Sequence, residues 1–114
     1  MKFEKFEDIL AWQKAELLTI NIYKLFKDCG DYSFKRQVER AVISIMNNIA
    51  EGFERQSNKE FKYFLFIAKG SCGEVRSMLH VASKLGYIEE GQYSELKIVS
   101  TEISKMLSGL IKKL

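Results

Sequence analysis

The sequence predicts an all-α protein, an antiparallel up-down-up-down four-helix bundle forming a single domain over residues 1–114. Apolar residues recur at three- and four-residue spacing along almost the whole chain, and the alternation typical of strands is absent. The 114 residues contain no proline, which favours long, uninterrupted helices. The segments between the apolar repeats are short, so neighbouring helices must run antiparallel.

The first two helices are predicted at about Asp8 to Asp28 and Ser33 to Arg55. Gly30 lies between them and is expected to terminate the first helix, because glycine is the usual residue after a helix end. Apolar residues at helical spacing define the face that each helix turns to the core. The residues expected on these two inner faces are Ala11, Ala15, Leu18, Ile22, Leu25, Phe34, Val38, Ala41, Ile45 and Ile49.

The third and fourth helices are predicted from Asn58 to Leu85 and from about Glu90 to Lys113. Ser57-Asn58-Lys59-Glu60 reads as a capping box, in which the Ser57 hydroxyl and the Glu60 carboxylate reciprocally bind free backbone amides. Gly86 is expected to end the third helix. The residues expected on the inner faces of these two helices are Phe61, Phe64, Leu65, Ala68, Val75, Leu79, Ala82, Leu96, Val99, Ile103, Met106 and Leu110.

Composition limits the classes of protein that the chain can belong to. With 18 Lys and Arg against 15 Asp and Glu, the net charge is +3, which permits a nucleic-acid partner without requiring one. No apolar run approaches the roughly 20 residues of a membrane span, and the N-terminal segment lacks the apolar core of a signal peptide. Cys29 and Cys72 match no metal or redox spacing, so we expect reduced, half-buried thiols in a cytoplasmic protein.

Small polar residues interrupt the second and third helices where the apolar pattern continues. These stretches are 44–52, Ser-Ile-Met-Asn-Asn-Ile-Ala-Glu-Gly, and 68–74, Ala-Lys-Gly-Ser-Cys-Gly-Glu. Serine, asparagine and glycine are poor residues for a helix interior, because they compete for backbone hydrogen bonds or lose excess entropy. Their use here favours a close approach of another helix, from the same subunit or from a neighbouring one.

Part of these stretches predicts a polar layer between the second and third helices. Glu74 falls in a widened apolar arc with Tyr63, Ile67 and Val81, where a buried carboxylate needs a partner. Arg40 comes level with Glu74 in an antiparallel pair, so we hypothesise an ion pair between them. The layer is predicted to consist of Arg40, Ser44, Asn48, Glu51, Ser71 and Glu74. The alternative is an ordinary solvated face, although such a face is better served by Lys, Glu or Gln.

The outer face of the third helix carries a line of basic residues, Lys62, Lys69, Arg76 and His80, at near-heptad spacing. No acidic residue shares that arc, and such a line can follow a phosphate backbone. The aromatic residues are mostly inward and provide no stacking platform of the single-strand-binding kind, so binding should be largely sequence-independent and salt-sensitive. A solvated lysine face is the alternative. The candidate nucleic-acid-binding residues are Arg55, Lys59, Lys62, Lys69, Arg76, His80 and Lys84.

No pattern in the chain indicates catalysis, a metal site or a cofactor. The paired Glu-x-x-His motifs of di-iron bundles are missing, and one histidine with two separated cysteines does not make an ordinary zinc site. Histidine phosphotransfer domains are also four-helix bundles of this size with one exposed histidine. In their pattern a lysine follows the histidine by three residues and a glycine lies next to it. Here Lys84 follows His80 by four residues and Gly86 is displaced further, so the motif does not match.

Several segments together carry a resemblance to one known family. They are 6–15, Gln37 to Ala41, Ser44-Ile45, 48–52 (Asn-Ile-Ala-Glu-Gly), Arg55, Phe64-Leu65, Ile67 to Ser71, Glu74 and 85–88. In these residues the chain resembles the 23S rRNA intervening-sequence proteins over nearly its whole length. It departs from them at Cys29-Gly30-Asp31, where the family often has a Phe-Pro segment, and this affects a loop only.

The resemblance implies properties that the residues alone do not indicate. Relatives are encoded within large ribosomal RNA genes or stand free in bacterial genomes. A related branch serves as the accessory protein of diversity-generating retroelements. That branch looks like a pentameric barrel of four-helix bundles that engages a reverse transcriptase and nucleic acid through basic surfaces. No catalytic residue comes with the family.

Together the residues and the resemblance predict a non-enzymatic homo-oligomer, a pentamer by the resemblance, that binds RNA or DNA through a basic face. A reverse transcriptase is the implied kind of partner protein. The alternative is a structural or protein-interaction module without nucleic-acid binding, and a histidine phosphotransfer domain ranks below both.

Overall fold

The computed structural model describes residues 3–114, and the first two residues of the predicted domain lie outside the described part. Four helices confirm the all-α bundle: α1 (Leu10–Leu25), α2 (Tyr32–Glu54), α3 (Asn58–Lys84) and α4 (Glu90–Lys112). A short 3₁₀ turn at Phe6–Asp8 precedes them.

The helices form a ring in chain order, because each helix packs against the next and α4 closes the bundle against α1. The bundle measures 43 × 22 × 19 Å. Its core is apolar and continuous from Ile9 to Leu107. Every residue predicted for the inner faces is buried or half-buried, so the helical spacing identified the core correctly.

The first helix is shorter at both ends than the sequence predicts. It starts at Leu10 instead of Asp8, because Ile9 is extended with φ −77° and ψ 118°. It ends at Leu25 instead of Asp28, where the backbone changes to tighter turns such as Cys29 N–H to Phe26 O at 3.0 Å. Gly30 does not adopt the left-handed conformation of a helix-terminating glycine.

The second helix begins one residue before the predicted Ser33, with Asp31 at its N-cap. The Asp31 carboxylate accepts a hydrogen bond from Phe34 N–H at 3.1 Å, which satisfies one of the free amides at the helix start. The same carboxylate accepts a hydrogen bond from the Tyr87 hydroxyl at 2.7 Å. Asp31 therefore ties the turn before α2 to the turn after α3.

The ends of α3 follow the sequence closely. The Ser57 hydroxyl accepts from Glu60 N–H at 3.1 Å, as the capping box requires. The reciprocal half differs, because the Glu60 carboxylate accepts from the Ser57 hydroxyl at 3.2 Å instead of the Ser57 amide. At the other end Gly86 has φ +77°. Tyr87 N–H binds Ala82 O at 2.9 Å and Gly86 N–H binds Ser83 O at 3.1 Å, which is a Schellman ending.

Candidate nucleic-acid interface and the adjoining helix seam

The close contact between α2 and α3 depends on Gly52. A Cβ atom at this position would lie 2.7 Å from Phe64 Cβ, 3.0 Å from Phe61 Cδ1 and 3.2 Å from Phe61 O. Phe64 Cβ and Phe61 O cannot rotate out of the way, because the first is attached directly to the backbone of α3 and the second is part of it. The glycine in the Asn-Ile-Ala-Glu-Gly stretch is therefore a packing residue, as its small size predicts.

A chain of hydrogen bonds crosses the same seam between α2 and α3. Asn48 Nδ2 donates to Ser44 O at 2.7 Å and to Ser44 Oγ at 2.9 Å. Ser44 Oγ lies 2.9 Å from Ser71 Oγ, and Ser71 Oγ donates to Ile67 O at 3.1 Å. Either of the two serine hydroxyls can be the donor in the contact between Ser44 and Ser71. Three of the six residues predicted for the polar layer, Ser44, Asn48 and Ser71, are therefore connected by hydrogen bonds.

The hypothesised ion pair between Arg40 and Glu74 is wrong. The ion pairs found among residues 3–114 do not include it, and both side chains are exposed. Glu74 lies three residues after the buried Ser71, so its side chain is rotated by about 60° around the helix from that serine, away from the core, and is exposed. Glu51, the remaining member of the predicted layer, is also exposed and binds Arg55 at 2.8 Å.

The apolar arc that suggested a buried Glu74 is itself exposed in the single chain. Tyr63, Ile67 and Val81 are 61%, 36% and 42% exposed. Met78 is half-buried against the core. The width of the apolar arc on α3 therefore does not arise from packing within the bundle, and an apolar strip of Tyr63, Ile67 and Val81 faces outward beside α2.

The predicted basic line lies on the other side of α3, next to α4. Lys62, Lys69 and Arg76 are half-buried along this edge and His80 is exposed. The His80 ring lies 5.7 Å from the Tyr93 ring of α4, edge to face. Lys59 and Lys84 are exposed near the two ends of α3. The structure brings together Lys62, Lys69, Arg76 and His80 on one edge, as predicted.

Two of the predicted basic residues are already engaged. Arg76 Nη1 donates to Ser100 O and to Ser100 Oγ of α4, both at 3.4 Å. Arg55 lies away from the basic edge, with Nη2 2.8 Å from Glu51 and its guanidinium 4.9 Å from the centre of the Phe64 ring. The hydrogen bond to Glu51 raises the pKa of Arg55. Arg55 is therefore not part of the basic line.

The structure adds residues that the sequence analysis missed. Phe66 is 55% exposed, so it is an exception to the expectation that the aromatic residues are mostly inward. It lies four residues after Lys62 and three before Lys69, and that spacing alone places it near the lysines on the helix wheel. On α4, Lys97 lies 5.8 Å from the centre of the Tyr93 ring and adds a further positive charge beside His80.

The groups in residues 3–114 that could support other chemistry are few. No three His, Cys, Asp or Glu side chains in this range come together to hold a metal ion. Cys72 is fully buried, not half-buried as predicted, and burial raises the pKa of its thiol to about 11. Cys29 is half-buried and also free. No helix within this range has both the length and the apolar character of a membrane span.

Comparisons with known proteins place the chain among related sequences. A family model described as 23S rRNA-intervening sequence protein matches residues 7–109. A comparison with curated proteins found no match. A crystal structure of a protein of unknown function from the S23 ribosomal protein family of Bacteroides thetaiotaomicron is similar at 29% identity and a TM-score of 0.84. The similarity covers 90% of this chain and 96% of that one.

Proposed function

Because the chain belongs to the 23S rRNA-intervening sequence protein family, we propose that it is a non-enzymatic, oligomeric protein that binds RNA or DNA through the α4-facing edge of α3. The observation that carries this proposal is the basic line of Lys62, Lys69, Arg76 and His80 on one edge of the bundle. Phosphates bind such lines through Lys and Arg, without reading base sequence.

The distribution of acidic residues supports the same edge. Helix α3 contains two acidic residues, Glu60 and Glu74. Glu60 is engaged by Ser57 and Arg55 at the start of the helix, and Glu74 lies more than 100° around the helix from Lys69 and Arg76. The edge therefore keeps its positive charge along about 21 Å, from Lys62 to Arg76.

Charge reversal on this edge tests the proposal. The variant Lys62→Glu with Lys69→Glu leaves the Arg76–Ser100 contact in place. The matched control is Lys27→Glu with Arg36→Glu, two exposed residues near the turn between α1 and α2 that take part in no ion pair within residues 3–114. Both variants change the net charge of +3 by the same amount.

Fluorescence anisotropy with labelled RNA and DNA, measured over a series of salt concentrations, gives the readout. We expect the α3 variant to lose affinity and to reduce the slope of log K against log salt by roughly 2, while the control keeps most of its affinity. Equal loss in both variants would assign binding to overall charge. If the wild type does not bind RNA or DNA at physiological salt, the nucleic-acid-binding proposal is wrong. The alternative of a structural or protein-interaction module then remains.

We also propose that the chain forms a closed homo-oligomer, a pentamer by the family resemblance. Apolar side chains are exposed on the apolar strip of α3 and, separately, on other helices, with Leu17 of α1 59% and Ile98 of α4 66% exposed. Large exposed apolar surfaces are usually covered by a partner. Two different surfaces on one chain suit a head-to-tail contact, which generates a ring when the rotation closes.

Light scattering with size-exclusion chromatography tests the oligomer directly. A pentamer has about five times the chain mass of 13.2 kDa. Ile67→Glu places a charge in the apolar strip without touching the core, so it should lower the mass towards that of one chain. A wild-type mass of one chain would overturn the oligomer proposal and leave the binding proposal standing.

The resemblance further supports a reverse transcriptase as the kind of partner protein. Genomic position tests this proposal, because a partner encoded in an adjacent gene can be purified with the chain. Co-elution of the two proteins would support it. A position inside a ribosomal RNA gene would instead favour ribosomal RNA as the ligand.

A further inference from the structure

We propose that Phe66 is a stacking platform for bases, so that the basic edge of α3 prefers single-stranded nucleic acid to a duplex. This inference rests on the proposed nucleic-acid binding and names the class of ligand. It starts from the apolar ring of Phe66, which is 55% exposed and lies between Lys62 and Lys69 along the helix.

The position of Phe66 relative to the lysines supports this role. Lys62 precedes it by four residues and Lys69 follows it by three, so both side chains lie beside its ring on the helix surface. A strand whose phosphates bind these two lysines must pass over or next to the ring. The distance between Lys62 and Lys69 along the helix is about 10 Å, close to the length of about three stacked nucleotides.

The helix surface beyond the ring is open. A Cβ atom at Gly70 would have no neighbour within 4 Å, and one at Gly73 would meet only Arg76 Nη2 at 3.7 Å. On the C-terminal side of Phe66, the backbone of α3 is therefore uncovered at Gly70 and Gly73, and Arg76 lies next to it. A flat base stacked on Phe66 has room for a second base beside it.

The chemistry of the ring distinguishes the two kinds of ligand. A duplex presents phosphates to this edge, and the lysines alone satisfy them. The faces of its bases are already stacked on one another. A single strand offers free base faces, which aromatic side chains bind with little dependence on base identity. An exposed phenylalanine between lysines therefore adds affinity for the single strand only.

The test compares Phe66→Ala and Phe66→Trp in anisotropy titrations with a 20-nucleotide oligo(U) and with a 20-base-pair duplex. We expect Phe66→Ala to weaken oligo(U) binding by roughly 5- to 150-fold, with duplex binding and the salt slope unchanged because both lysines remain. Phe66→Trp should retain the oligo(U) affinity, and its added fluorescence should be quenched on binding. The matched control is Tyr32→Ala, which removes an aromatic ring that is 66% exposed on α2.

The outcomes separate this inference from the proposed function. Oligo(U) binding that is unchanged in Phe66→Ala, but lost in Lys62→Glu with Lys69→Glu, would overturn the stacking role and leave the basic edge assigned. Wild-type binding as tight to the duplex as to oligo(U) would also overturn it. Because Phe66 lies outside the core, an unchanged circular dichroism spectrum should show that the variants fold.

Discussion

The hydroxyl oxygens of Ser44 and Ser71 lie 2.9 Å apart across the contact between α2 and α3. Each serine is also held within its own helix, Ser44 by Asn48 at 2.9 Å and Ser71 by Ile67 O at 3.1 Å. This arrangement joins two helices through neutral groups whose hydrogen bonds are satisfied locally. It avoids the desolvation cost that a buried ion pair between the helices would carry.

Replacing either serine by alanine should lower the free energy of unfolding by about 1 kcal/mol, because one hydroxyl loses its partner. The double variant Ser44→Ala with Ser71→Ala should cost less than the sum of the two single variants, since the remaining hydroxyl is no longer left unpaired. Urea denaturation of the four proteins measures this coupling. Ser77→Ala, at an exposed position of α3, is the control. Strictly additive effects would contradict the direct hydrogen bond.

The two glycines Gly52 and Gly70 should respond to alanine in opposite directions. At Gly52 the added Cβ meets Phe64 Cβ at 2.7 Å, so α2 and α3 must move apart, and we expect a loss of about 1–3 kcal/mol. At Gly70 no atom lies within 4 Å, and the gain in helix propensity should stabilise the protein by about 0.5–1 kcal/mol. Thermal denaturation, followed by circular dichroism at 222 nm, compares the stability of each variant with that of the wild type. A destabilised Gly70→Ala would mean that another copy or segment packs on that surface.

The contrast between Ser71 and Glu74 shows how far the sequence predicts the site. Apolar periodicity locates the core face of α3, so a serine within it is correctly predicted to be buried. Tyr63, Ile67 and Val81 extend that pattern without extending the core, because apolar side chains also occupy much of a normal protein surface. The pattern alone does not distinguish an exposed apolar strip from a buried one, which is why Glu74 was wrongly expected to be buried.

Helix ends and individual contacts show a second limit. The prediction that Gly86 ends α3 is correct, because the left-handed conformation that this residue adopts strongly favours glycine. Gly30 was expected to act similarly, yet α1 ends earlier, with Phe26 as its C-cap and a tight turn closed by Cys29 N–H to Phe26 O before Gly30 is reached. The Arg76–Ser100 contact also could not be predicted, since it depends on the relative register of α3 and α4. Long-range register is not encoded in local spacing.

The two cysteines should react very differently with a thiol reagent. Burial raises the pKa of Cys72 to about 11, so almost no thiolate is present at pH 8, and the side chain is also inaccessible. Cys29 is half-buried near the turn between α1 and α2. Titration with DTNB should therefore detect one fast thiol in the native protein and two after addition of guanidinium. Cys29→Ser should remove the fast phase, and fast labelling that persists in this variant would contradict the burial of Cys72.

The hydrogen bond from Tyr87 to Asp31 should make stability depend on pH. It lowers the pKa of the Asp31 carboxyl and raises the pKa of the Tyr87 hydroxyl. For Asp31 the contribution to stability is present above its ordinary pKa and is lost as the pH falls through the lowered one. For Tyr87 the contribution is present below its ordinary pKa, near 10, and is lost as the pH rises through the raised one.

The variant Tyr87→Phe isolates this contribution. At pH 7 this variant should have a lower melting temperature than the wild type. The difference in melting temperature should narrow as the pH falls below about 4 or rises above about 10. Tyr32→Phe, which removes an exposed hydroxyl with no hydrogen bond to protein among residues 3–114, should not show this dependence. A difference in melting temperature that stays constant from about pH 2 to about pH 11, beyond both ordinary pKa values, would argue against the bond to Asp31.

Arg76 combines a structural contact with a charge on the proposed interface, and a matched pair of variants separates the two. Arg76→Gln and Lys69→Gln each remove one positive charge from the same edge of α3, so both should reduce the salt slope of nucleic-acid binding by about 1. Arg76→Gln also removes the bonds to Ser100 O and Oγ at 3.4 Å, so it should lower the free energy of unfolding by about 1 kcal/mol. Lys69 has no hydrogen-bond or ion-pair partner among the described residues, and its replacement should leave stability nearly unchanged. Equal stability of the two variants would show that the long Arg76 contacts contribute little and that this side chain is available to a phosphate.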